Sequence, residues 1–334
     1  MNGLRLEWGA NIGVEGLLGL SAFSSSPEAR LGSSWWSRFE PSASERDSIS
    51  AVGDPTGEIW LHLLGPALDC TDYPSFVALL RGLSSPELLE LALGAHVPAW
   101  MEVVDRDVLV AAASGDAGAR SEILGSSLYY AGRAREALGT LLEMSPDEAA
   151  TCILGALDAW APSVARAASR IQGWQADRRS EFELLTGSAL KRLQALTGLR
   201  YEPEPYVEKV VVIPSMIPAG LILAQHDASR LVVFSPDRVV DPLTRLSALF
   251  SALGEGSRLD ILRLLAREPR GVSEIAAATG LAKSTVHQHL GLLRSSGAIT
   301  LAGHAWRYRY EVDRGRLAEA MNDLLREIDR EEGK

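Results

Sequence analysis

Between Ala248 and Val312 the chain runs through three short amphipathic helical patterns, a glycine stop and an alternating aromatic stretch, and that order leaves few folds open. Ser257 can cap the first free amides of a helix, with Asp260 three residues on as its reciprocal acidic partner. Ile261, Leu262 and Leu265 then recur at helical spacing, and the pattern runs out before Pro269. Ser273 can cap a second short helix, Glu274 to Thr279, whose Ala276, Ala277 and Ala278 let a neighbouring helix come close. Gly280 ends it in the left-handed conformation that a tight turn needs. A third helix starts around Ala282. Val286, Leu290 and Leu293 form its inward stripe, and Lys283, Ser284, His287, Gln288 and Arg294 fall around the opposite side. Past Gly297 the period changes to that of strands: Ala298 to Leu301, a turn at Gly303-His304, then Trp306-Arg307-Tyr308-Arg309-Tyr310. This predicts a two-stranded hairpin with its aromatic face on the helices and Arg307 and Arg309 in solvent.

The polar side of the third helix suits entry into the DNA major groove, because Ser, Gln, His and Lys offer donors and acceptors to base edges and phosphates. Lys283, Ser284, Thr285, His287 and Gln288 are the candidates for base or nearby phosphate contact, and Arg294, Arg307 and Arg309 for phosphate. Taken alone, the hairpin reads equally well as an amphipathic ribbon with solvated arginines; joined to three helices it reads as a wing. The segments ALGEGSRLDILRLL and VSEIAAATGLAKSTVHQHLGLLRSSGAI resemble the ArsR-type winged helix-turn-helix regulators, over roughly residues 243 to 332. The resemblance implies a winged helix-turn-helix bound to double-stranded DNA. Metal-sensing members of that family carry cysteines where this chain has Gly271, Val272 and Ser273, or His and acidic residues on the last helix, and Arg314 to Lys334 contains no His. No metal site is therefore expected. His287 and His289 diverge by about 200 degrees on a helix and cannot readily share an ion. Leu317, Met321, Leu324, Leu325 and Ile328 make the last helix amphipathic. In the family such a helix pairs with its mate in a dimer; folding back on the chain's own N-terminal domain would also cover it.

The formal net charge of -10 looks unfavourable for a nucleic-acid partner until it is divided. Residues 1–242 hold 19 Lys and Arg against 31 Asp and Glu, whereas residues 243–310 hold 9 against 4. Basic surface is thus local, on an acidic body that weakens stray contacts. Cys70 and Cys152 lie far apart without a CxxC pair, which fits reduced thiols of a cytoplasmic protein. No signal-peptide pattern opens the chain, and the longest apolar run, Val210 to Ala224, is broken by Pro214 and Pro218, so no membrane segment is expected.

Taken in order, Leu4, Leu6 and Trp8 alternate as in a strand, and a loop-rich region containing Trp35, Trp36 and Phe39 follows to about Gly57. Those aromatics fit a core contact or the lip of a ligand cleft. Ile59 to Leu199 reads as helical, with starts at Ser85-Pro86-Glu87 and Ser145-Pro146-Asp147. Trp60, Trp100, Trp160 and Trp174 read as core, with cavity lining as the other possibility. Tyr206 to Ile213, residues 214–225 and Leu231 to Phe234 read as strands around a turn at Asp227-Ala228-Ser229, with the Leu4 to Trp8 strand as a candidate to complete the sheet.

The expected fold is mainly α with minor β: a mostly helical domain with a small sheet over residues 1–234, a linker over 235–242 and a winged helix-turn-helix over 243–334. Some long ArsR-like regulators share this layout. No catalytic residue, cofactor or ligand-binding residue is assigned: there is no GxSxG, P-loop, HExxH or GxGxxG, and Asp105 with Asp107, or Glu181 with Glu183, suit solvated faces better than acid–base pairs. The expected function is a homodimeric regulator of transcription, a repressor and not an enzyme, controlled by a small-molecule effector or partner at the N-terminal domain. An enzyme-like N-terminal domain with an accessory winged helix, or a protein-interaction module, are the alternatives.

Overall fold

The computed structural model describes residues 4–24, 42–50, 52, 57–126, 129, 133–216, 221–235, 242–303 and 309–332. It is mainly helical with minor strands, as expected, and divides into two compact units. One comprises residues 1–186 with 206–235, the other 187–205 with 236–334. Residues 187–205 fall inside the span expected for the N-terminal domain, yet they group with the DNA-binding end of the chain.

The first unit contains β1 (Arg5–Trp8), α1 (Ile12–Ser24), α2 (Ala43–Ser50), α3 (Glu58–His62), α4 (Leu64–Leu68), α5 (Tyr73–Arg81), α6 (Ser85–Leu93) and α7 (Pro98–Met101). It continues with α8 (Arg106–Ala113), α9 (Ala117–Gly125), α10 (Arg133–Glu143) and α11 (Pro146–Glu183). The second unit takes α12 (Ala189–Thr197) and β2 (Arg200–Tyr201), after which β3 (Lys209–Pro214), β4 (Ile222–His226) and β5 (Ser229–Phe234) return to the first.

The sheet order is β1-β3-β5-β4, with β1, β3 and β5 parallel and β4 antiparallel to β5. The Leu4 to Trp8 stretch does complete it, through Arg5 opposite Lys209 to Trp8 opposite Val212. Val210 to Ile213 and Leu231 to Phe234 are buried without alternation, the mark of strands covered on both faces. Asp227 turns β4 into β5 at φ 46, a left-handed position that Asp tolerates.

Helix α1 departs from the sequence expectation of a loop-rich region. Ten consecutive residues, Ile12 to Ser21, are buried, so the helix is apolar all round and shows no 3.6-residue stripe. Its glycines also lower helix propensity, but they permit close packing: a Cβ on Gly16 would lie 2.7 Å from the Tyr73 ring and 2.9 Å from Val164. Against it runs α11, 38 residues and about 57 Å long, started by a capping box of Ser145 and Glu148. The Trp160 indole donates to the Gly16 carbonyl at 2.7 Å, and the Tyr73 hydroxyl to the Leu157 carbonyl at 2.9 Å. Trp60 and Trp160 are wholly buried core residues, and Trp100 and Trp174 are half-buried. Trp35, Trp36 and Phe39 lie outside the described residues. Both cysteines are free and half-buried. Asp105 caps α8, while Glu181 and Glu183 pair with Arg178 and Arg179.

Among the described residues no helix is long and apolar enough to cross a membrane.

Two ionisable groups in this unit carry opposite pH dependences. Glu15 on α1 is 1% exposed; it accepts from the Met216 amide at 2.8 Å and the Ser215 hydroxyl at 3.3 Å, while its other oxygen has no partner among the described residues. Burial outweighs those bonds and raises its pKa from 4.5 to about 7. The folded state therefore holds this proton more tightly than the unfolded chain, and stability is lost as pH rises from 4.5 through 7. His96 is shifted the other way, from 6.5 to about 3, by burial first and then by His62 and His226. Its contribution is lost as pH falls below 6.5. We expect Glu15→Gln to gain about 2 kcal/mol relative to the native protein on going from pH 5 to pH 8. Urea denaturation followed by tryptophan fluorescence reads this unit, since seven of the eight tryptophans precede residue 187. A difference that does not change with pH would mean that Glu15 titrates as an ordinary carboxyl.

Candidate nucleic-acid interface

In the second unit α13 (Pro242–Leu253), α14 (Gly256–Leu265), α15 (Val272–Thr279) and α16 (Lys283–Ser295) precede β6 (Ile299–Gly303), β7 (Arg309–Val312) and α17 (Arg314–Glu332). Ile261, Leu265, Ile275, Val286, Leu290, Leu293, Ala298 and Ile299 form one core with Leu246, Leu249 and Ala320. The helix starts differ from those expected. Glu255, not Ser257, precedes α14, which makes no side-chain cap. Gly271, not Ser273, precedes α15, where the Glu274 carboxylate reaches back to the Gly271 amide at 2.8 Å. An acidic residue at the third helical position can close the box from its own side, so the helix begins two residues early. Gly280, at φ 71, makes the three-residue turn into α16.

That turn and the buried Val286–Leu290–Leu293 stripe set the rotation of α16 about its axis. Lys283, His287 and Gln288 are exposed, and Ser284 lies in the same first turn, its side chain outside the description. At 100 degrees per residue Lys283, His287, Gly291 and Arg294 share an arc of about 80 degrees. Gly291 is the member that sequence reasoning left out. A Cβ there would meet nothing within 4 Å, so the middle of the exposed face is flat. Its signal was positional, four residues after His287. Thr285 is half-buried at the flank, and Arg294 is half-buried in the last turn. Burial raises the Tyr310 phenol pKa, and the Arg294 charge opposes that rise. His287 is shifted below its ordinary pKa, by burial and then by Lys283. The shift favours the neutral ring, with one nitrogen to donate and one to accept. His289 faces the opposite way, 8% exposed, with Nε2 3.9 Å from Glu255.

Where a two-stranded wing was expected, the sheet has three strands in the order β2-β6-β7, extended by an antiparallel bridge between Arg270 and Tyr310. Strand β2 joins in parallel, Arg200 opposite Ala302 and Tyr201 opposite Gly303. The Thr300 hydroxyl donates to the Gly198 carbonyl at 3.0 Å, and Arg200 reaches Glu311 at 3.1 Å. Arg309 is exposed but engaged, with Glu274 at 3.1 Å and the Pro269 carbonyl at 3.1 Å. It ties the wing to the start of α15. Trp306, Arg307 and Tyr308 lie outside the described residues.

A second cluster, in the first unit, had no sequence signal. His62, His96 and His226 are the three histidines before residue 242, and they converge from α3, the turn after α6 and the end of β4. Ring centroids are 6.3 Å apart for His62 and His96 and 4.7 Å for His96 and His226. His62 Nδ1 lies 2.7 Å from the Ala92 carbonyl, which can only accept, and Nε2 accepts from the Trp100 indole at 3.2 Å. Its neutral tautomer is thereby set. The Asp227 amide bonds to the His96 carbonyl at 3.2 Å, so the cluster also seats the β4–β5 turn.

Comparison with known proteins places the helix-turn-helix. The family model for bacterial regulatory proteins of the arsR family matches residues 255–300. An HTH-type transcriptional regulator of Mycobacterium tuberculosis is 36% identical over 76 residues, which are 23% of this chain and 34% of that protein. The match thus spans about a third of the relative. A solution structure from Mycobacterium bovis, described as a homodimeric winged helix-turn-helix DNA-binding domain of a possible ArsR-family regulator, is 31% identical. It covers 29% of this chain and 87% of that one, with a TM-score of 0.23. Residues 255–300 are accordingly a helix-turn-helix of the ArsR type, set in a winged unit on a chain that also carries a separate, mainly helical unit.

Proposed function

We propose that this protein is a homodimeric, sequence-specific DNA-binding repressor of transcription whose N-terminal unit receives a ligand or partner. The observation that carries the reading is the exposed face of α16: Lys283, His287 and Gln288 stand clear of the core around a flat Gly291, behind the tight turn at Gly280. Such a face enters a major groove with base-reading groups toward its N-terminal end and no side chain obstructing its middle. Lys283, Ser284, Thr285, His287 and Gln288 serve base or nearby phosphate contact, and Arg294, Arg307 and Arg309 the backbone. The Glu274 and Pro269 contacts of Arg309 assign it first to holding the wing, with phosphate contact as a use of its remaining donors.

Support for a dimer comes from α17. Ala320 is buried and Leu317 and Leu324 pack on the domain core, yet Met321 and Leu325 on the same helix are 46% and 55% exposed. Phe250, on the α13 helix that packs against α17, is 43% exposed. An apolar face of this kind suits a second copy, which would also set two recognition helices about one duplex turn apart. In the N-terminal unit Asp105 is occupied as a helix cap and Glu181 and Glu183 as ion-pair partners, which favours a regulatory role over a catalytic one.

Binding to fragments of the protein's own upstream region, in a salt series with random DNA as competitor, tests the reading. Specific binding should exceed random binding by roughly a thousandfold or more. Gln288→Ala should cost about 1–3 kcal/mol at one or two base positions and relax preference there. Arg307→Ala should weaken all sequences alike and lower the salt slope by about one charge. Equal losses on specific and random DNA for both variants would overturn this division of roles. Gly291→Ala should stabilise the fold by about 0.5–1 kcal/mol while weakening DNA binding, because open space receives the methyl but the groove does not. For the dimer, Met321→Glu with Leu325→Glu should yield monomers in sedimentation; an unchanged mass would place the interface elsewhere.

A further inference from the structure

In the second unit a cleft of about 380 Å³ opens beside the wing sheet, and its walls come from two distant parts of the chain. Gly198 and Arg200 belong to the inserted segment 187–205; the end of α14, the Thr300–Glu311 strand pair and the start of α17 belong to the winged helix. Thr300 and Glu311 are cross-strand partners next to the buried Ile299, so they lie on the sheet face turned away from the core.

Three guanidiniums and three carboxylates line the cleft, but two of those carboxylates are paired by arginines from outside it. Each lining carboxylate already has a basic partner: Glu311 has Arg200 at 3.1 Å, Glu268 has Arg270 at 2.6 Å, and Asp313 has Arg316 at 3.7 Å. Of the lining guanidiniums, Arg200 is the one with a carboxylate partner among the described residues. Arg314 donates to the Ala266 carbonyl at 3.1 Å and has no carboxylate partner among the described residues. Arg267 has no ion pair among them. Two fork-shaped cations are thus left facing a space large enough for a small organic molecule.

We propose that this cleft binds a small organic anion with two or more carboxylate or phosphate groups, held by Arg267 and Arg314 and walled by the segment around Gly198 and Arg200. A ligand bridging these walls clamps β2 onto β6. Both ends of the clamped segment lead directly into the other unit, at residues 186 and 206, so occupancy tightens the attachment of the wing to that unit's two connections. The effect on DNA rests on the DNA-binding reading above; the binding of the anion does not.

Calorimetric titration of the full chain with citrate and, separately, with fructose 1,6-bisphosphate tests the site, with potassium chloride at matched ionic strength as the reference. Saturable binding to at least one of the two is expected, with citrate and the bisphosphate distinguishing carboxylate from phosphate preference. Arg267→Ala with Arg314→Ala should weaken it at least tenfold. Arg263→Ala, which removes an exposed charge from α14 four residues before Arg267, should leave it unchanged. Both cleft arginines are exposed, so the double variant keeps the core intact. No saturable binding beyond the salt reference, or equal loss in the Arg263 variant, overturns the site. In a DNA titration the bound anion should shift affinity at least threefold, and the double variant should lose that shift. Anion binding without the shift overturns the coupling and leaves the site standing. A protein with no DNA affinity at all would overturn the regulator reading, while calorimetry would still decide the site.

Discussion

The packing of Val286, Leu290 and Leu293 against Ile261 and Ile275 governs the presentation of the second unit's surface. All five are 0–1% exposed, and a helix with one stripe held so tightly cannot rotate. Once that stripe is buried, Lys283, His287, Gln288 and Gly291 have a single direction left to face. The glycine turn before α16 and the Glu274 contacts at the start of α15 then set the angle at which the helix emerges. Removing a core methyl would therefore shift that face without touching any residue on it.

The third wing strand follows from a different constraint. A free edge of β6 would leave unpaired backbone amides and carbonyls next to a polar face, an arrangement that proteins cover or blunt. Here Arg200 and Tyr201 cover it, and Tyr201 is itself buried beside Glu204, to which its hydroxyl donates. The segment that does this lies in sequence between α11 and β3, both in the other unit. The chain therefore enters the winged unit, leaves it and enters again. Three covalent crossings join the two units.

The first unit is built around α1, and the cost of burying a helix so completely is visible in its one charged residue. Among the described residues Glu15 has two donors for one of its oxygens and none for the other, and it holds its proton to about pH 7. Across the same unit His96 refuses a proton for the same reason, exclusion from water. The two act in opposite directions between pH 4.5 and 6.5, so a nearly flat stability profile there would conceal two large slopes.

Elements that bury a single face were legible in the sequence. Three helices and a strand pair of the winged unit, the capped starts of α6 and α11, and the β1 strand each carry a period or a cap that local chemistry writes into neighbouring residues, while β3 and β5 were legible as continuous apolar, β-branched runs. The polar face of α16 was legible for the same reason, because the positions left over from a buried stripe are its complement. What local chemistry could not specify was anything that depends on a partner far along the chain. Helix α1 has no polar face to betray it, the three histidines meet across more than a hundred residues of sequence, and the pairing of β2 with β6 joins positions about a hundred apart. Periodicity determined which side of each element is buried. Only the tertiary structure decided what buries it, because the chain entropy lost in closing long loops is regained through contacts that no local window contains.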